Sequence, residues 1–442
     1  MTVGSSGNAE IGPALAITRA NARDLARNNP YGKRAVREWG KRVVDYGITP
    51  QADTGNVGVN AIIDERWTRW VPWCMSDRRM PFYAAQKMIV RSAFESGECL
   101  VRMWDRPLTD GLPVPFQIQL LESDYLDTSK TQTLENGYII QGVQFDPIGR
   151  IVGYWLFGQH PGDVVQTSTR GLTSKLITAD RVLHHCELER PGDVRAVTRF
   201  AAVMNKLRDI DECADAYIVR AKIEACMAMF VGQPEGPDGA TLGPITDSAG
   251  RKIEGFAPGM IAYGQAGQKP EFFTPSGSGD FAAHKKSELR EVATGLDIPY
   301  VVLADDLSDV NYSSYRGGAV AYREAIDEYR WNWFIPQVLD PIWKKFIDTL
   351  AMMGVIREPI YGVKWNPPPF ELLDRKNEAE ADEIELRLGK KSWPQLIGEQ
   401  GIDPEKQYAD VASWKPRLDK AGVTFTPKGV TNAQDQPAAP AV

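Results

Sequence analysis

Carboxylates are the side chains whose spacing most suggests chemistry in this sequence, and the densest group lies in the polar segment 304–318. Asp305 and Asp306 are adjacent, and Asp309 follows three residues later. Two carboxylates facing one sugar, with tryptophans as stacking platforms, would suit a glycosidase. Three acids on one loop are more often a solvated surface, and the sequence offers no opposing wall. A soluble carbohydrate-active hydrolase therefore remains the alternative interpretation.

A second cluster of reactive residue types is His184-His185-Cys186, followed by Glu187 and Glu189. Neighbouring residues of a strand point to opposite faces, so one strand cannot direct both imidazoles at the same ion. We interpret this segment as an edge strand of a sheet and predict no metal site.

Motifs for phosphate binding and for nucleophilic catalysis are missing. The sequence contains no G-x-x-x-x-G-K-[ST], no G-x-G-x-x-G after a strand and no G-x-S-x-G, which are the loops that cradle phosphates or present a catalytic serine. The five cysteines form no C-x-x-C pair, which argues against a disulfide framework. Cys213 and Cys226 are interpreted as core residues of a helix. We predict no enzymatic activity and no cofactor.

The elements that must position these side chains begin with helices and continue with short strands. Apolar residues recur at helical spacing over 16–46 and 60–97, with breaks at Pro30, at Pro72 and near Pro81. Turn residues then separate β-branched and aromatic runs. The predicted strands are Glu98–Trp104, Phe116–Glu122, Tyr138–Phe145 and Ile151–Phe157. The fold class is therefore predicted to be α+β.

The second half contains two long predicted helices with a tip between them. One helix is predicted over 196–232 and the other over 280–295, on either side of the Gly- and Pro-rich segment 233–279. Strand candidates within that segment are Gly259–Tyr263 and Glu271–Phe273. Helices that protrude in this way expose apolar stripes, which we expect neighbouring copies to cover.

A further helical stretch, 319–354, is apolar on two faces and is predicted to lie between packing partners. Pro336 and Pro341 lie inside it, so we expect it to kink or split there. A small helical unit is predicted over 370–422. The two ends, 1–15 and 424–442, are predicted to be a flexible arm and a disordered tail.

The composition is that of a globular protein with an acidic balance. The 442 residues include 51 Lys and Arg against 58 Asp and Glu, a formal net charge of −7. This balance argues against a protein that grips DNA by neutralising its phosphates. Twelve tryptophans indicate large packing surfaces or interfaces. We expect no secretory signal and, since no apolar run approaches 18 residues, no membrane-spanning segment.

Short segments distributed from about residue 20 to residue 415 together resemble the lambda family of bacteriophage portal proteins. Each is weak alone, but their order is specific, and the last segment is the most specific. They are Arg27-Asn28-Asn29-Pro30, Val43-Val44-Asp45-Tyr46-Gly47-Ile48, Ser96-Gly97-Glu98, Leu100-Val101-Arg102, Leu120-Leu121-Glu122-Ser123-Asp124, Asp146-Pro147, Gly149-Arg150, His160-Pro161-Gly162, Glu189-Arg190-Pro191-Gly192 and Asp306-Leu307-Ser308-Asp309-Val310-Asn311-Tyr312-Ser313-Ser314-Tyr315-Arg316.

The resemblance implies a portal fold and a ring of about twelve subunits at one capsid vertex, through which double-stranded DNA is packaged and ejected. It also implies contacts with the large terminase subunit, a head-completion or adaptor protein and the major capsid protein, and no membrane contact. The implied parts are a wing (16–195), a two-helix stem (196–232 and 280–295), a clip (233–279), a tunnel loop (304–316) with a long kinked wing helix (within 296–356), and a C-terminal strand with short crown helices (357–423).

The tunnel loop would face the DNA in such a ring. On this interpretation the three aspartates repel the duplex, whereas the remaining polar residues make weak contacts with its backbone that carry no sequence information. Those polar residues are Asn311, Tyr312, Ser313, Ser314 and Arg316. An acidic ring would let DNA slide. A smaller adaptor or connector protein is a third interpretation, which the length and the paired long helices disfavour.

Overall fold

The structure is a computed structural model that describes most of the chain. The described residues are 4–163, 173–226, 229–231, 261–263, 281–308, 311–370, 375–400, 402 and 404–422. They form an α+β fold, as the sequence predicts. Two compact units are present: the first comprises Met1–Val43, Met88–Met103 and Gln119–Leu339, and the second Val44–Lys87, Trp104–Ile118 and Asp340–Val442.

Helices account for most of the regular structure. The α-helices are α1 (Gly7–Ile11), α2 (Leu15–Asn28), α3 (Pro30–Val44), α4 (Val57–Trp70), α5 (Phe82–Ser96), α6 (Met204–Cys226), α7 (Phe281–Gly295), α8 (Tyr300–Ala304), α9 (Tyr312–Tyr329), α10 (Asp340–Met352), α11 (Arg375–Arg387), α12 (Trp393–Glu399) and α13 (Pro404–Lys420). A π-helix, Arg330–Leu339, joins α9 to α10. Among the described helices, none has the length and apolar character needed to cross a membrane.

The strands within the described residues form four small sheets. They are β1 (Thr49–Ala52), β2 (Glu98–Asp105), β3 (Phe116–Glu122), β4 (Gln132–Leu134), β5 (Gly137–Ile140), β6 (Val143–Phe145), β7 (Ile151–Leu156), β8 (Lys175–Thr178), β9 (Val182–Cys186), β10 (Met229–Val231), β11 (Ile261–Tyr263) and β12 (Val363–Asn366). The largest sheet is an antiparallel meander in the order β4-β5-β6-β7-β8. The others are β3-β2-β9, antiparallel β1-β12 and parallel β10-β11.

The core of the first unit is centred on Trp39, which is almost fully buried. Its ring lies 5.8 Å from that of Phe94 and 5.4 Å from that of Tyr329, measured between centroids. The guanidinium of Arg199 lies 4.2 Å from the Trp39 ring centroid, a distance at which a cation is attracted to the ring face. The cation–π contact therefore closes one side of this aromatic cluster.

The second unit has its own aromatic core. Trp70 stacks on Phe116 with the two rings nearly parallel and 5.4 Å apart, and its Nε1 donates to the Phe116 carbonyl at 2.7 Å. Trp67 packs edge-to-face on Phe82 and Phe346. The tryptophans were predicted to indicate packing surfaces or interfaces. Five of them, Trp39, Trp67, Trp70, Trp343 and Trp365, are buried within one chain.

One predicted strand, Tyr138–Phe145, is wrong as a single element. The chain turns back within it, so that β5 and β6 pair as an antiparallel hairpin. Gln141 and Gly142, which connect the two strands, both have positive φ, 47° and 85°. Two consecutive positive φ angles form the tight turn that matches the twist of a hairpin.

The first long helix is shorter than predicted. It begins at Met204, because residues 196–203 include the 3₁₀ turn Arg199–Ala202, and the backbone ahead of that turn packs against Gly97. A Cβ at Gly97 would lie 2.5 Å from the carbonyl oxygen of Ala196. The helix spans about 35 Å at 1.5 Å per residue.

The partner helix α7 is confirmed. The core position predicted for Cys213 of α6 is wrong, because this cysteine is exposed. No residue of α6 from 211 to 222 is buried, so the residue type alone does not determine burial there.

The predicted flexible arm contains a short helix, α1, that is held in place. The side chain of Asn8 donates to the carbonyl of Gly192 and accepts from the amide of Val194, each at 2.8 Å. Since these contacts join residues more than 180 positions apart, no local pattern could have predicted them. The predicted disordered tail, 424–442, lies outside the described residues, as does the strand candidate Glu271–Phe273.

The long apolar helical stretch splits, as predicted. Between α9 and α10 the backbone is a π-helix that contains Pro336. Proline lacks an amide hydrogen, and its ring clashes with the carbonyl four residues earlier, so the wider helix relieves both problems. Phe334, Ile335, Val338 and Leu339 of this segment are buried. The predicted C-terminal helical unit is also confirmed, as α11 to α13.

Candidate functional site

The predicted tunnel loop starts where α8 ends. Asp305 caps this helix in the left-handed conformation, with φ 57°. Its side chain is largely exposed and forms an ion pair with Arg34 of α3 at 2.9 Å, while the Arg34 Nε donates to the carbonyl of Val302 at 2.7 Å. Arg34 therefore fixes both the helix end and the first acid of the loop.

Asp306 is the centre of a hydrogen-bond cluster. It accepts from the hydroxyl of Tyr300 at 2.7 Å and from the amide and hydroxyl of Ser308 at 3.0 and 2.6 Å. The ammonium of Lys286 on α7 lies 3.5 Å away. Hydrogen bonds from Ser308 and Tyr300 hold the pKa of Asp306 well below its usual range. The carboxylate is therefore ionised and neutralised within its own chain.

The remaining predicted loop residues divide into three groups. Asp309 lies outside the described residues. Asn311 precedes α9, and its carbonyl accepts from the amide of Tyr315 at 3.0 Å. Tyr312, Ser313, Ser314 and Arg316 belong to α9 rather than to a loop, which corrects the predicted extent of 304–316. Asparagine is a preferred residue at the position before a helix, and this signal locates the true boundary.

The chemistry available to this cluster is not that of a glycosidase. A general acid needs a carboxyl group with a raised pKa, so that it carries a proton at neutral pH. The pKa of Asp306 is lowered instead, and Asp305 is paired with an arginine. These two carboxylates hold the loop to α3 and α7, and the geometry gives no support to the hydrolase interpretation.

The two adjacent histidines do point to opposite faces of β9. His184 bonds to the buried carboxylate of Glu98, which also accepts from the Arg195 Nε at 2.9 Å. His185 faces the other way and contacts Tyr329 at 2.7 Å and Gln337 at 2.8 Å. Both imidazoles therefore have protein partners, and β9 is an edge strand of its sheet, as predicted.

Glu122, Asp124 and His160 bring three metal-ligand atoms within 4.8 Å of one another. The guanidinium of Arg23 already lies 2.7 Å from the Glu122 carboxylate and 2.5 Å from that of Asp124. A cation thus balances these two acids, and the arrangement is that of an ion-pair cluster.

Comparison with known proteins shows the family to which the chain belongs. A family model described as "Phage portal protein, lambda family" matches residues 1–330. The chain belongs to the lambda family of phage portal proteins. The probable portal protein of Halomonas phage phiHAP-1 is 25% identical over 436 residues, which cover 92% of this chain and 81% of that protein. The portal protein of Escherichia phage N15 is 21% identical over 349 residues, which cover 71% of this chain and 65% of that protein.

Solved structures with similarity to this chain include chains of gene transfer agent (GTA) particles. A chain from the neck of an empty GTA particle, computed with C6 symmetry, matches with a TM-score of 0.47 and 16% identity, over 88% of this chain and 94% of its own. A chain from the neck of a native particle, computed with C12 symmetry, matches with a TM-score of 0.44 and 16% identity, over 87% and 94%.

Several of the portal-like segments serve the fold. Glu98 of Ser96-Gly97-Glu98 is fully buried and lies beside Arg19 and Arg195. Gly97 permits the close approach of the chain just before α6. Gly192 has a φ of 90°, which glycine adopts without strain. Ser96-Gly97-Glu98 thus contributes a buried carboxylate and a close backbone approach, and Gly192 contributes a turn.

The residues that the sequence did not reveal are the partners of the loop acids. Arg34, Lys286 and Tyr300 come from three separate helices, two of them distant in the chain. Tyr300 lies six residues before Asp306, so its position near the predicted loop was the one local signal. Burial and the hydrogen bond to Asp306 raise the pKa of Tyr300 to about 12, which keeps it a donor.

Proposed function

We propose that this chain forms a ring of about twelve subunits at one capsid vertex and acts there as a conduit for double-stranded DNA, without catalysing a reaction. The observation that carries the proposal is the match of the lambda portal family model to residues 1–330. The relatives named as portal proteins in two phages support it. The virion is the proposed location, with assembly in the host cytoplasm.

The charge pattern of the loop fits passage of DNA better than binding of DNA. Asp305 and Asp306 are each neutralised by a cation of the same chain, Arg34 and Lys286. A surface of paired charges neither holds phosphates by counterion release nor repels them strongly. We therefore propose that the loop lines the channel as a surface on which DNA slides, with Arg316 exposed at the start of α9.

The parts of the proposed ring keep the predicted assignment, with the boundaries that the helices now give. The stem is α6 with α7, which Lys206 joins through Glu288 at 2.6 Å and Glu291 at 2.8 Å. The clip falls largely outside the described residues. We propose it as the contact for the large terminase subunit and later for a head-completion protein, and the wing as the contact for the major capsid protein.

Electron microscopy of the purified protein in negative stain tests the ring. We expect closed rings whose class averages have rotational symmetry close to twelvefold. Particles that remain monomeric over a range of protein concentration, salt and pH would contradict the proposal.

The role of the loop is tested by the variant D305A/D306A. We expect ring assembly to be unchanged and packaged DNA per particle to fall severalfold, because the loop loses its attachments to α3 and α7. D180A is the matched control, since Asp180 is an exposed acid of the first unit with a 4.0 Å contact to Arg181. If D305A/D306A packages as much DNA per particle as D180A does, the proposed role of the loop is wrong.

A further inference from the structure

A cavity of about 540 Å³ in the first unit forms a basic cleft in an otherwise acidic protein. Four cations line it: Arg23 from α2, Lys33 and Arg37 from α3, and Arg91 from α5. Two carboxylates, Glu95 and Glu122, also belong to the lining. The cleft therefore has an excess of positive charge, whereas the whole chain has a formal net charge of −7.

Three of these cations have no acidic partner in the described part of the chain. Arg23 is paired with Glu122 and Asp124. Within the described residues, no ion pair joins Lys33, Arg37 or Arg91 to a carboxylate. The Arg91 Nε is buried without a hydrogen-bond acceptor, and the Arg91 side chain covers Gly40 of α3. Burial and the charge of Arg37 lower the pKa of Arg91. A partly desolvated cation beside a like charge is unfavourable until an anion covers it.

A complementary acidic face lies between α2 and α6. Asp24, Asp211, Glu212 and Asp215 line a groove of about 160 Å³ there, with Arg208 as the one cation of that lining. Asp211 accepts a hydrogen bond from Asn29 at 2.8 Å. The four acids take part in no ion pair among the residues that the structure describes. This face therefore has an excess of unpaired acids, as the basic cleft has an excess of unpaired cations.

The two surfaces lie on opposite sides of α2. Arg23 and Ala26 line the basic cleft, whereas Asn21, Asp24 and Leu25 line the acidic groove. At 3.6 residues per turn, the two sets are about 180° apart around the helix. Surfaces that differ and lie on opposite sides suit head-to-tail association, which closes into a ring when the rotation permits.

Exposed apolar side chains accompany both surfaces. Met88, 45% exposed, belongs to the lining of the basic cleft. Ile218 and Val219 continue the stripe of Asp211 and Asp215 along α6 and are 48% and 54% exposed. A contact between copies would therefore bury apolar area in addition to pairing charges.

We propose that the basic cleft of one copy receives the acidic face of α6 from the next copy, and that this contact builds the ring. The inference rests on the ring proposed above and assigns the residues of its subunit interface. A second copy fits the cleft better than DNA does, because the apolar part of the lining offers nothing to a phosphate backbone and Glu95 and Glu122 would repel it.

Charge reversal tests this contact. The variants K33E/R37E and E212K/D215K change only exposed side chains, so we expect both to fold with thermal stability close to that of the wild type. Each alone should require at least about tenfold more protein for half-assembly, since several charge pairs at one interface are lost, measured by mass photometry and negative-stain imaging. The quadruple variant K33E/R37E/E212K/D215K should assemble alone, because both surfaces are then reversed. An equimolar mixture of the two double variants should also form rings.

The control R150E/K175E makes the same change of net charge as K33E/R37E at exposed cations outside the cleft and should assemble as the wild type does. Normal rings from either double variant would contradict the proposed interface. A quadruple variant that folds but does not assemble would contradict it as well. Neither result would contradict the proposal that the wild type forms a ring. K33E/R37E rings that form normally but retain less DNA would show the cleft to be a DNA site instead. Failure of the wild type to form rings would reject the proposed function itself.

Discussion

Two neighbouring histidines have opposite protonation behaviour although they share one strand. Burial opposes the charged form of His184, but Cys186 and Glu98 outweigh it and raise its pKa to about 10. Burial lowers the pKa of His185 to about 4, against a hydrogen bond with Gln337 that acts in the other direction. At neutral pH the strand therefore holds one imidazolium and one neutral imidazole.

The pH dependence of stability follows from these directions. The contribution of His184 is complete below the unfolded pKa of about 6.5 and is lost as the pH rises from there toward 10. That of His185 is complete above about 6.5 and is lost as the pH falls toward 4. We expect H184N to lose about 3–5 kcal/mol of stability at pH 6, because Glu98 loses a charged partner in a buried cluster, and to lose less at pH 10.

The variant H185N is the matched control. It should remove the loss of stability at acid pH and leave the pH dependence at alkaline pH as in the wild type, while the loss of the hydrogen bonds to Tyr329 and Gln337 lowers stability at every pH. Denaturant unfolding at pH 5, 6 and 10 measures both variants. Equal losses for H184N at pH 6 and pH 10 would mean that His184 does not carry a proton in the folded protein.

Among the elements, the first half of α9 has an unusual weakness. Gly317 and Gly318 lie inside this helix, and a Cβ added at either would meet no atom within 4 Å. Glycine in a helix interior costs about 0.5–1 kcal/mol relative to alanine. Neither packing within the described part of the chain nor a positive φ requires these glycines, so they suit a hinge or a close approach by another molecule.

We expect G317A/G318A to stabilise the isolated subunit by about 1–2 kcal/mol, the sum of two such helix penalties. Chemical denaturation measures this gain, and packaged DNA per particle measures its consequence. The control A16G/A20G exchanges two exposed alanines of α2 and should show the reverse change in stability without affecting the loop. A destabilised G317A/G318A would mean that the helix at this point is not formed in solution.

For the whole molecule, what the negative net charge implies about contact with DNA depends on the function. A formal charge of −7 per chain argues against a protein that grips DNA, but a ring that must let DNA pass benefits from weak attraction. Asp305 and Asp306 are paired with cations, so in the proposed ring the repulsion of DNA phosphates would come from the summed charge of the chain rather than from these two acids. The unpaired cations of the basic cleft are proposed to contact the acidic face of α6 from the neighbouring copy.

Assembled rings should therefore bind linear double-stranded DNA weakly. We expect a dissociation constant above about 10 μM at about 0.15 M salt and a shallow dependence on salt, since few phosphates are neutralised. Fluorescence anisotropy between about 0.05 and 0.2 M salt measures both quantities. Tight binding that falls by a factor of about 10³ over this range would identify a ring that holds DNA through many phosphate contacts.

The sequence by itself predicted the types and approximate bounds of several helices and strands, but not of α1, α8, β1, β4, β8 or β12. Periodicity, proline breaks and turn residues located α2, α3, α7, β2, β3, β7 and the split of the long helix, because each of these signals acts over a few residues. The ordered segments were enough to indicate the portal family. Local signals failed where two elements share one apolar run, as in the β5–β6 hairpin.

Only the tertiary structure decided what the candidate residues do. Asp305 and Asp306 are paired with Arg34 and Lys286, which lie on other helices. The sequence predicted that these acids repel DNA, whereas in the structure cations of the same chain neutralise them and hold them in place. The opposite pKa shifts of His184 and His185 depend on burial and, besides the nearby Cys186, on Glu98 and Gln337, which are far away in the chain. Charge and burial at a side chain are set by neighbours in space, and neighbours in sequence do not reveal them.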